Sequence, residues 1–198
     1  VRLRFCSEVA QGMLYLHSCG LLHRDLKSLN IFVNADWHCK VGDFGQSCGM
    51  ANKLTAMKGT VLWCAPEVFS ETHEATYSQS ADVYSFGVVL WECRTRKTPF
   101  QELPYGPGGW NIIAHIRSGG RPPIGSDWPL WYSRLTRRCW DADPAARPDF
   151  NSVLSVLLSE LAKEGTTDSP TRGSSTANTR TSARGSSTAR SSHGRHSP

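Results

Sequence analysis

From Ser80 to Glu92 the chain is apolar around a whole helical circumference: Val83, Phe86, Val88, Val89, Leu90 and Trp91 point in every direction about the axis. A helix of this kind holds only when other elements cover it on every side, so the sequence predicts a helical domain built around it. The run stops well short of the roughly 18 apolar residues that suggest a membrane span, and no stretch of the chain is more densely apolar. No membrane span is expected. Asp82 lies inside this helix, and a carboxylate among so many apolar side chains needs partners that donate hydrogen bonds to it.

Other helices are expected around that centre. From Val1 to Cys19 apolar residues recur at Phe5, Val9, Met13 and Leu16, one stripe of an amphipathic helix, and Gly20 stands where a left-handed C-cap would end it. Further stripes run through Trp110, Ile113 and Ile116, from Leu135 to Trp140, and along Phe150, Val153, Leu154, Leu157, Leu158 and Leu161. Prolines at 104, 107, 122, 123 and 144 punctuate the breaks. Two short β-prone pieces, Ile31-Phe32-Val33 and Cys39-Lys40-Val41, flank the turn-forming Asn34-Ala35-Asp36 and predict a small hairpin. The expected fold is mainly α with one β-hairpin.

After Glu164 the chain consists of Ser, Thr, Gly, Ala and Arg with no large apolar residue. Such a stretch buries too little surface to offset its ordering entropy, so 164–198 is expected to be a Ser/Thr/Arg-rich tail, disordered from about Gly165. The hexapeptide Arg-Gly-Ser-Ser-Thr-Ala occurs at 172–177 and again at 184–189, which reads as low complexity. The tail also explains the net charge of +5: it carries Arg172, Arg180, Arg184, Arg190 and Arg195 against Asp168 alone. The remainder is nearly neutral, which removes the electrostatic case for a nucleic-acid partner. The seven cysteines, Cys6, Cys19, Cys39, Cys48, Cys64, Cys93 and Cys139, are odd in number and form no C-x-x-C pair. A reducing, cytoplasmic setting is expected, without disulfides or zinc.

The residues that carry chemistry sit on either side of the predicted hairpin. His23-Arg24-Asp25-Leu26-Lys27-Ser28-Leu29-Asn30 precedes it, and Asp43-Phe44-Gly45 follows it. Phosphoryl transfer from ATP requires a carboxylate to orient a hydroxyl and accept its proton, oxygen ligands for Mg²⁺, and positive charge on the moving phosphate. Asp25, Lys27, Asn30 and Asp43 supply all three. A third motif, Ala65-Pro66-Glu67, follows Gly59-Thr60-Val61-Leu62-Trp63-Cys64. Any one of these is weak evidence, since Asp25 and Lys27 also suit a surface charge pair and Asp43-Phe44-Gly45 a plain turn; the three in order are strong.

On these motifs residues 1–163 resemble the carboxy-terminal lobe of the protein kinase α+β fold, and in particular the tyrosine-kinase-like group of serine/threonine kinases. The resemblance implies Asp25 as catalytic base, Lys27 as a contact of the γ-phosphate, and Asn30 and Asp43 as Mg²⁺ ligands. It implies Phe32 as the floor beneath the adenine ring, with His23 and Phe44 as the lower members of a regulatory hydrophobic stack. It further implies an ion pair between Glu67 and Arg147, the latter within Trp140-x-x-Asp143-Pro144-x-x-Arg147-Pro148, and Asp82 as the group that holds the backbone of the His23-Arg24 turn. ATP, Mg²⁺ and a protein substrate follow as expected cofactors and partner.

Lys27 looks like serine/threonine kinases, as does Thr60, whose hydroxyl in that group bridges the base and the lysine. Trp63 and the run from Ser80 to Glu92 look like the tyrosine-kinase side, so dual or tyrosine specificity is the alternative. Arg24 is the arginine of kinases switched by phosphorylation of the activation segment, which implies an upstream kinase acting on Thr55 or, second, Ser47.

The sequence holds no G-x-G-x-x-G and no Val-Ala-x-Lys, and Gly106-Pro107-Gly108-Gly109 follows the buried helix instead of a strand. The amino-terminal lobe is therefore expected to be absent and the chain, as a fragment, to be inactive alone; a membrane anchor in a preceding part stays open. Two functions compete. One is a catalytic lobe, favoured by the retention of Asp25, Lys27, Asn30 and Asp43. The other is a non-catalytic binding module acting through the groove around Trp110 and the Arg-rich tail.

Overall fold

A computed structural model describes residues 1–43, 61–69, 77–104 and 109–167, with side chains as far as Glu164. Phe44, Ser47, Thr55, Thr60, residues 105–108 and the tail after Thr167 lie outside the described residues. The first helix, α1 (Arg2–Ser18), buries Leu3, Cys6, Val9, Ala10, Met13 and Leu16, a stripe at three- and four-residue spacing. Phe5 is only half-buried; Leu3 and Cys6 carry the first turns instead. The helix ends in a two-bond cap, Gly20 N–H donating to His17 O at 3.1 Å and Leu21 N–H to Leu16 O at 3.0 Å. Gly20 has φ +72°, a left-handed conformation that costs a residue with Cβ about 1–2 kcal/mol.

Strands β1 (Ile31–Val33) and β2 (Cys39–Val41) pair antiparallel, with Ile31 opposite Val41, Phe32 opposite Lys40 and Val33 opposite Cys39. Asn34 closes the turn from both sides, donating its N–H to His38 O at 3.0 Å and accepting from His38 N–H on Oδ1 at 2.8 Å. The turn therefore reaches His38, two residues beyond the expected Asn34-Ala35-Asp36. A lone two-stranded hairpin is marginal in water, and α1 holds this one. The Glu8 carboxylate accepts from Cys39 N–H at 2.7 Å and lies 2.7 Å from His38 Nδ1. Burial opposes the Glu8 charge, but these bonds, with Arg4 alongside, keep its carboxyl below its ordinary value.

Among the described residues four further α-helices follow: α2 (Gln79–Thr95), α3 (Trp110–Arg117), α4 (Leu130–Cys139) and α5 (Phe150–Thr167). The α2 helix is a wall between two cores. Val83, Phe86 and Leu90 pack in one with Met13 and Leu16 of α1, Leu135 of α4 and Phe150 of α5. Tyr84, Val88, Val89 and Trp91 pack in the other with Trp63, Phe100 and Ile112, Ile113 and Ile116 of α3. A helix between two cores has no solvent face, which is the physical reason for its all-round apolar sequence. Gly87 lets α4 approach: a Cβ there would lie 2.9 Å from Cys139 Cβ and 3.1 Å from Trp140 N.

Two expected stripes shift. Trp110, at the first turn of α3, is 57% exposed, and Ile112 takes its place on the buried face. Along α5 Phe150, Val153 and Leu157 are buried, whereas Leu158 points to solvent. Among the described residues no helix is long and apolar enough to cross a membrane.

Candidate active site

The site begins with a strained turn. Arg24 has φ 68°, a left-handed conformation that costs a non-glycine residue about 1–2 kcal/mol unless its surroundings impose it. Asp82, on the first turn of α2, imposes it: Oδ2 accepts from His23 N–H and Oδ1 from Arg24 N–H, each at 2.9 Å. His17 Nε2, at the end of α1, lies 2.9 Å from the same Oδ2. The carboxylate is 2% exposed, and three polar partners are what make such burial affordable. His23 itself is buried at the junction.

One step on, Asp25 points into a polar cluster. Its N–H donates to His23 Nδ1 at 3.3 Å. Lys27 Nζ lies 2.7 Å from Asp25 Oδ2, and Asn30 Nδ2 donates to the same oxygen at 3.0 Å and to the Asp25 carbonyl at 2.8 Å. The other oxygen, Oδ1, is buried and receives no hydrogen bond from the described residues. A short 3₁₀ turn, Ser28–Asn30, leads directly into β1. Gly42 N–H at the far end of the hairpin donates to Asn30 O at 3.0 Å, so the hairpin returns Asp43 to the neighbourhood of Asn30. Asp43 is exposed with φ 61°. Phe32, on β1, is 56% exposed, so a plain core role does not apply to it. Arg24 is likewise exposed.

The Ala65-Pro66-Glu67 segment is fastened from two directions. Arg147 grips Glu67 with both arms, Nη1 to Oε1 at 2.7 Å and Nη2 to Oε2 at 2.9 Å, the fork-to-fork geometry that favours arginine over lysine. The same guanidinium donates to Asp141 O and Ser80 O and lies 5.1 Å from the Tyr84 ring centroid. From the other side α2 reaches Trp63: Ser85 Oγ donates to Trp63 O at 2.8 Å, and Trp63 Nε1 donates to Glu92 Oε2 at 2.7 Å. Glu92 Oε1 accepts from Ser28 Oγ at 2.9 Å, joining the loop after Asp25 to the segment before Glu67. Burial pushes the Glu92 carboxyl above its ordinary value, and the bonds from Trp63 and Ser28 partly offset this.

Sequence reasoning missed His17, Ser85 and Glu92. The signal for the last two was present. Asp82, Ser85 and Glu92 are three and seven residues apart, so they share one helix face, and a polar stripe on an otherwise apolar helix has to meet polar partners. His17 carried no comparable sign, since its partner lies on a different helix. The structure brings Asp25, Lys27, Asn30, His23, Arg24 and Asp82 into one cluster and Glu67 and Arg147 into another.

The Asp82 contacts set a first prediction. Asp82→Asn keeps the shape but turns one acceptor into an amide donor facing a backbone N–H, which leaves a buried donor without a partner. The chain should lose about 1–3 kcal/mol of unfolding free energy in urea titrations. An unchanged midpoint and slope would show that these bonds carry no net stability.

Residues 1–157 match the family described as protein tyrosine and serine/threonine kinase. A probable LIM domain-containing serine/threonine-protein kinase of Dictyostelium discoideum is 39% identical over 158 residues, 79% of this chain and 23% of its own length. The serine/threonine/tyrosine-protein kinase HT1 of Arabidopsis thaliana is 38% identical over 167 residues, 82% of this chain and 41% of its own. Mitogen-activated protein kinase kinase kinase 7 of Homo sapiens is 36% identical over 159 residues, 78% of this chain and 25% of its own. The chain spans less than half the length of each of these relatives.

Proposed function

Since the chain belongs to the protein tyrosine and serine/threonine kinase family, we propose that it is the catalytic, substrate-side lobe of a serine/threonine protein kinase that passes the γ-phosphoryl group of ATP to a protein hydroxyl. The observation that carries this reading is the divided carboxylate of Asp25. Oδ2 is held by Lys27 and Asn30, while the buried Oδ1 takes no hydrogen bond from a described residue. A carboxylate fixed by one oxygen keeps unused acceptor capacity at the other, which, once uncovered for substrate, can orient an incoming serine or threonine hydroxyl and accept its proton during attack.

The neighbouring groups fit ATP and Mg²⁺. Asn30 commits its amide nitrogen to Asp25, which leaves its oxygen as the metal donor, and Asp43 adds an exposed carboxylate. Among the described residues no group of three His, Cys, Asp or Glu side chains is placed to hold a metal. The Asn30 and Asp43 oxygens match the usual protein share of a Mg²⁺ site, which is completed by phosphate and water. When bound, Mg²⁺ and ATP supply the transferred group and neutralise its charge. Lys27 adds a cation beside the base, and the exposed ring of Phe32 offers a face to the adenine.

Serine/threonine specificity rests on Lys27 and on the names of the relatives, one of which also includes tyrosine. Exposed Arg24 is the receiving group for a phosphate placed on Thr55, or second on Ser47, by an upstream kinase. A reducing, cytoplasmic setting is proposed from the odd number of cysteines and the lack of a C-x-x-C pair.

A two-lobed kinase containing this chain should phosphorylate serine and threonine peptides at least about tenfold faster than tyrosine peptides with ATP and Mg²⁺. The 198-residue chain alone should transfer nothing. Tyrosine preference, or transfer by the chain alone, would overturn the reading. No transfer from the two-lobed protein would favour the non-catalytic module, for which exposed Trp110 is the supporting observation.

A further inference from the structure

Glu92, near the carboxyl end of α2, is half-buried on the helix face of Asp82 and Ser85. The transfer proposed above makes no use of it. Its backbone is a fixed post. Leu90 and Trp91 beside it are fully buried, Tyr132 O–H donates to Leu90 O at 2.8 Å, and Trp91 Nε1 donates to Pro123 O at 2.7 Å.

From that post the carboxylate reaches two separate pieces of chain. Oε1 accepts from Ser28 Oγ at 2.9 Å, and the Ser28 backbone N–H donates to the carboxylate as well. Oε2 accepts from Trp63 Nε1 at 2.7 Å. Trp63 is buried and is held a second time, by Ser85 Oγ on its carbonyl oxygen at 2.8 Å. A carboxylate accepts at both oxygens, which suits it to join two donors from different segments. Ser28 and Trp63 therefore cannot shift relative to each other without breaking a bond to Glu92.

Ser28 directly follows Lys27, which brings the contact to bear on Asp25. The loop is tied to α2 at both ends: Asp82 accepts from His23 and Arg24 N–H, and Glu92 accepts from Ser28. Asp82 and Glu92 are ten positions apart, about 15 Å of helix rise, whereas the chain from Arg24 to Ser28 reaches about 14 Å at full extension. The loop has little slack between its posts, and Lys27 is accordingly extended, with φ −157° and ψ 164°. Without Glu92 the loop would keep the Asp82 post and its own bonds, Asn30 Nδ2 to Asp25 O and Asn30 N–H to Lys27 O. Its Lys27 end would be free to move.

Resting on the kinase reading, we propose that Glu92 is a positioning residue for phosphoryl transfer: by fixing Ser28 and Trp63 to one point of α2 it holds the loop of Asp25 and Lys27 in register with the segment that ends in Ala65-Pro66-Glu67.

The test compares a two-lobed kinase containing this chain with its Glu92→Ala, Glu92→Gln, Ser28→Ala and doubly substituted Ser28→Ala, Glu92→Ala forms. Single-turnover transfer to a serine peptide separates the chemical step from product release, and each rate is expressed per folded molecule, the folded fraction coming from urea unfolding. Glu92→Ala should slow transfer by about 10- to 100-fold while the KM for ATP stays within about twofold. Glu92→Gln can accept from Trp63 through its oxygen and donate to Ser28 Oγ through its amide, so it should stay within about fivefold of the parent. Ser28→Ala should cost about three- to tenfold, and the double form should lie within about twofold of Glu92→Ala, because Ser28 acts through Glu92. Should Glu92→Ala not fold, Ser28→Ala, at an exposed position, and Glu92→Gln decide the matter. Parental rates per folded molecule in Glu92→Ala or Ser28→Ala, a Glu92→Gln form no faster than Glu92→Ala, or single losses that multiply in the double form would overturn the role of Glu92 and leave the kinase reading standing. A parent that transfers nothing overturns both.

Discussion

Asp25→Asn in the two-lobed kinase is expected to lower kcat by about 10²–10⁴-fold, the range for removing a positioned general base, with little change in KM. Asparagine can reproduce most of the local geometry. Its oxygen can take the place of Oδ2, still accepting from Lys27 Nζ and Asn30 Nδ2, contacts now made at 2.7 and 3.0 Å. Its amide nitrogen then falls where Oδ1 is, and it donates where the substrate hydroxyl needs an acceptor. The substitution removes basicity while keeping most of the architecture; because it puts an amide at the buried Oδ1 position and takes the charge from beside Lys27, the chain should lose about 1–3 kcal/mol of unfolding free energy and stay folded. Turnover within a few-fold of the parent would exclude Asp25 as the base. A loss large enough to unfold the chain would mean that the fall in rate comes from a disturbed loop.

How legible the fold and site were depends on the range of each cause. The α1 stripe, its glycine stop and the hairpin could be read because their determinants are local: spacing, a left-handed residue, β-branched pieces around a turn. The buried helix could be read because packing on all sides puts apolar residues all round it, apart from the stripe of Asp82, Ser85 and Glu92, although nothing in the sequence said that it divides two cores as Phe86 and Tyr84 do. Stripe edges failed where one turn could rotate. Trp110 is apolar but sits at a helix start facing solvent, and composition does not choose between Trp110 and Ile112. Motif residues such as Asp25 and Asn30 sit five apart and find each other within one loop. His17 reaches Asp82 across 65 positions, and no pattern within either helix encodes that meeting. Ser85 and Glu92 lie between these extremes: the polar stripe was visible, but its partners Trp63 and Ser28 became visible only in three dimensions.

The pair of Glu67 and Arg147 should be the costliest single contact to break in the isolated lobe. The Arg147 side chain is fully buried and that of Glu67 is 23% exposed, so losing the carboxylate leaves the guanidinium, among the described residues, with two backbone carbonyls and the Tyr84 ring. Removing one partner of a buried pair costs about 3–5 kcal/mol, because the remaining charge is left desolvated. Glu67→Leu and Arg147→Met should each fall near the lower end of that range, since Glu67 keeps some access to water. The double variant Glu67→Leu, Arg147→Met leaves no stranded charge, so its loss should be smaller than the sum of the single losses by at least about 1 kcal/mol, read from urea unfolding of all four chains. Such non-additivity identifies a direct partnership. Strictly additive losses would mean that Arg147 acts through Asp141 O and Ser80 O, and Glu67 through water. The pair would then not be what joins the Ala65-Pro66-Glu67 segment to the chain entering α5.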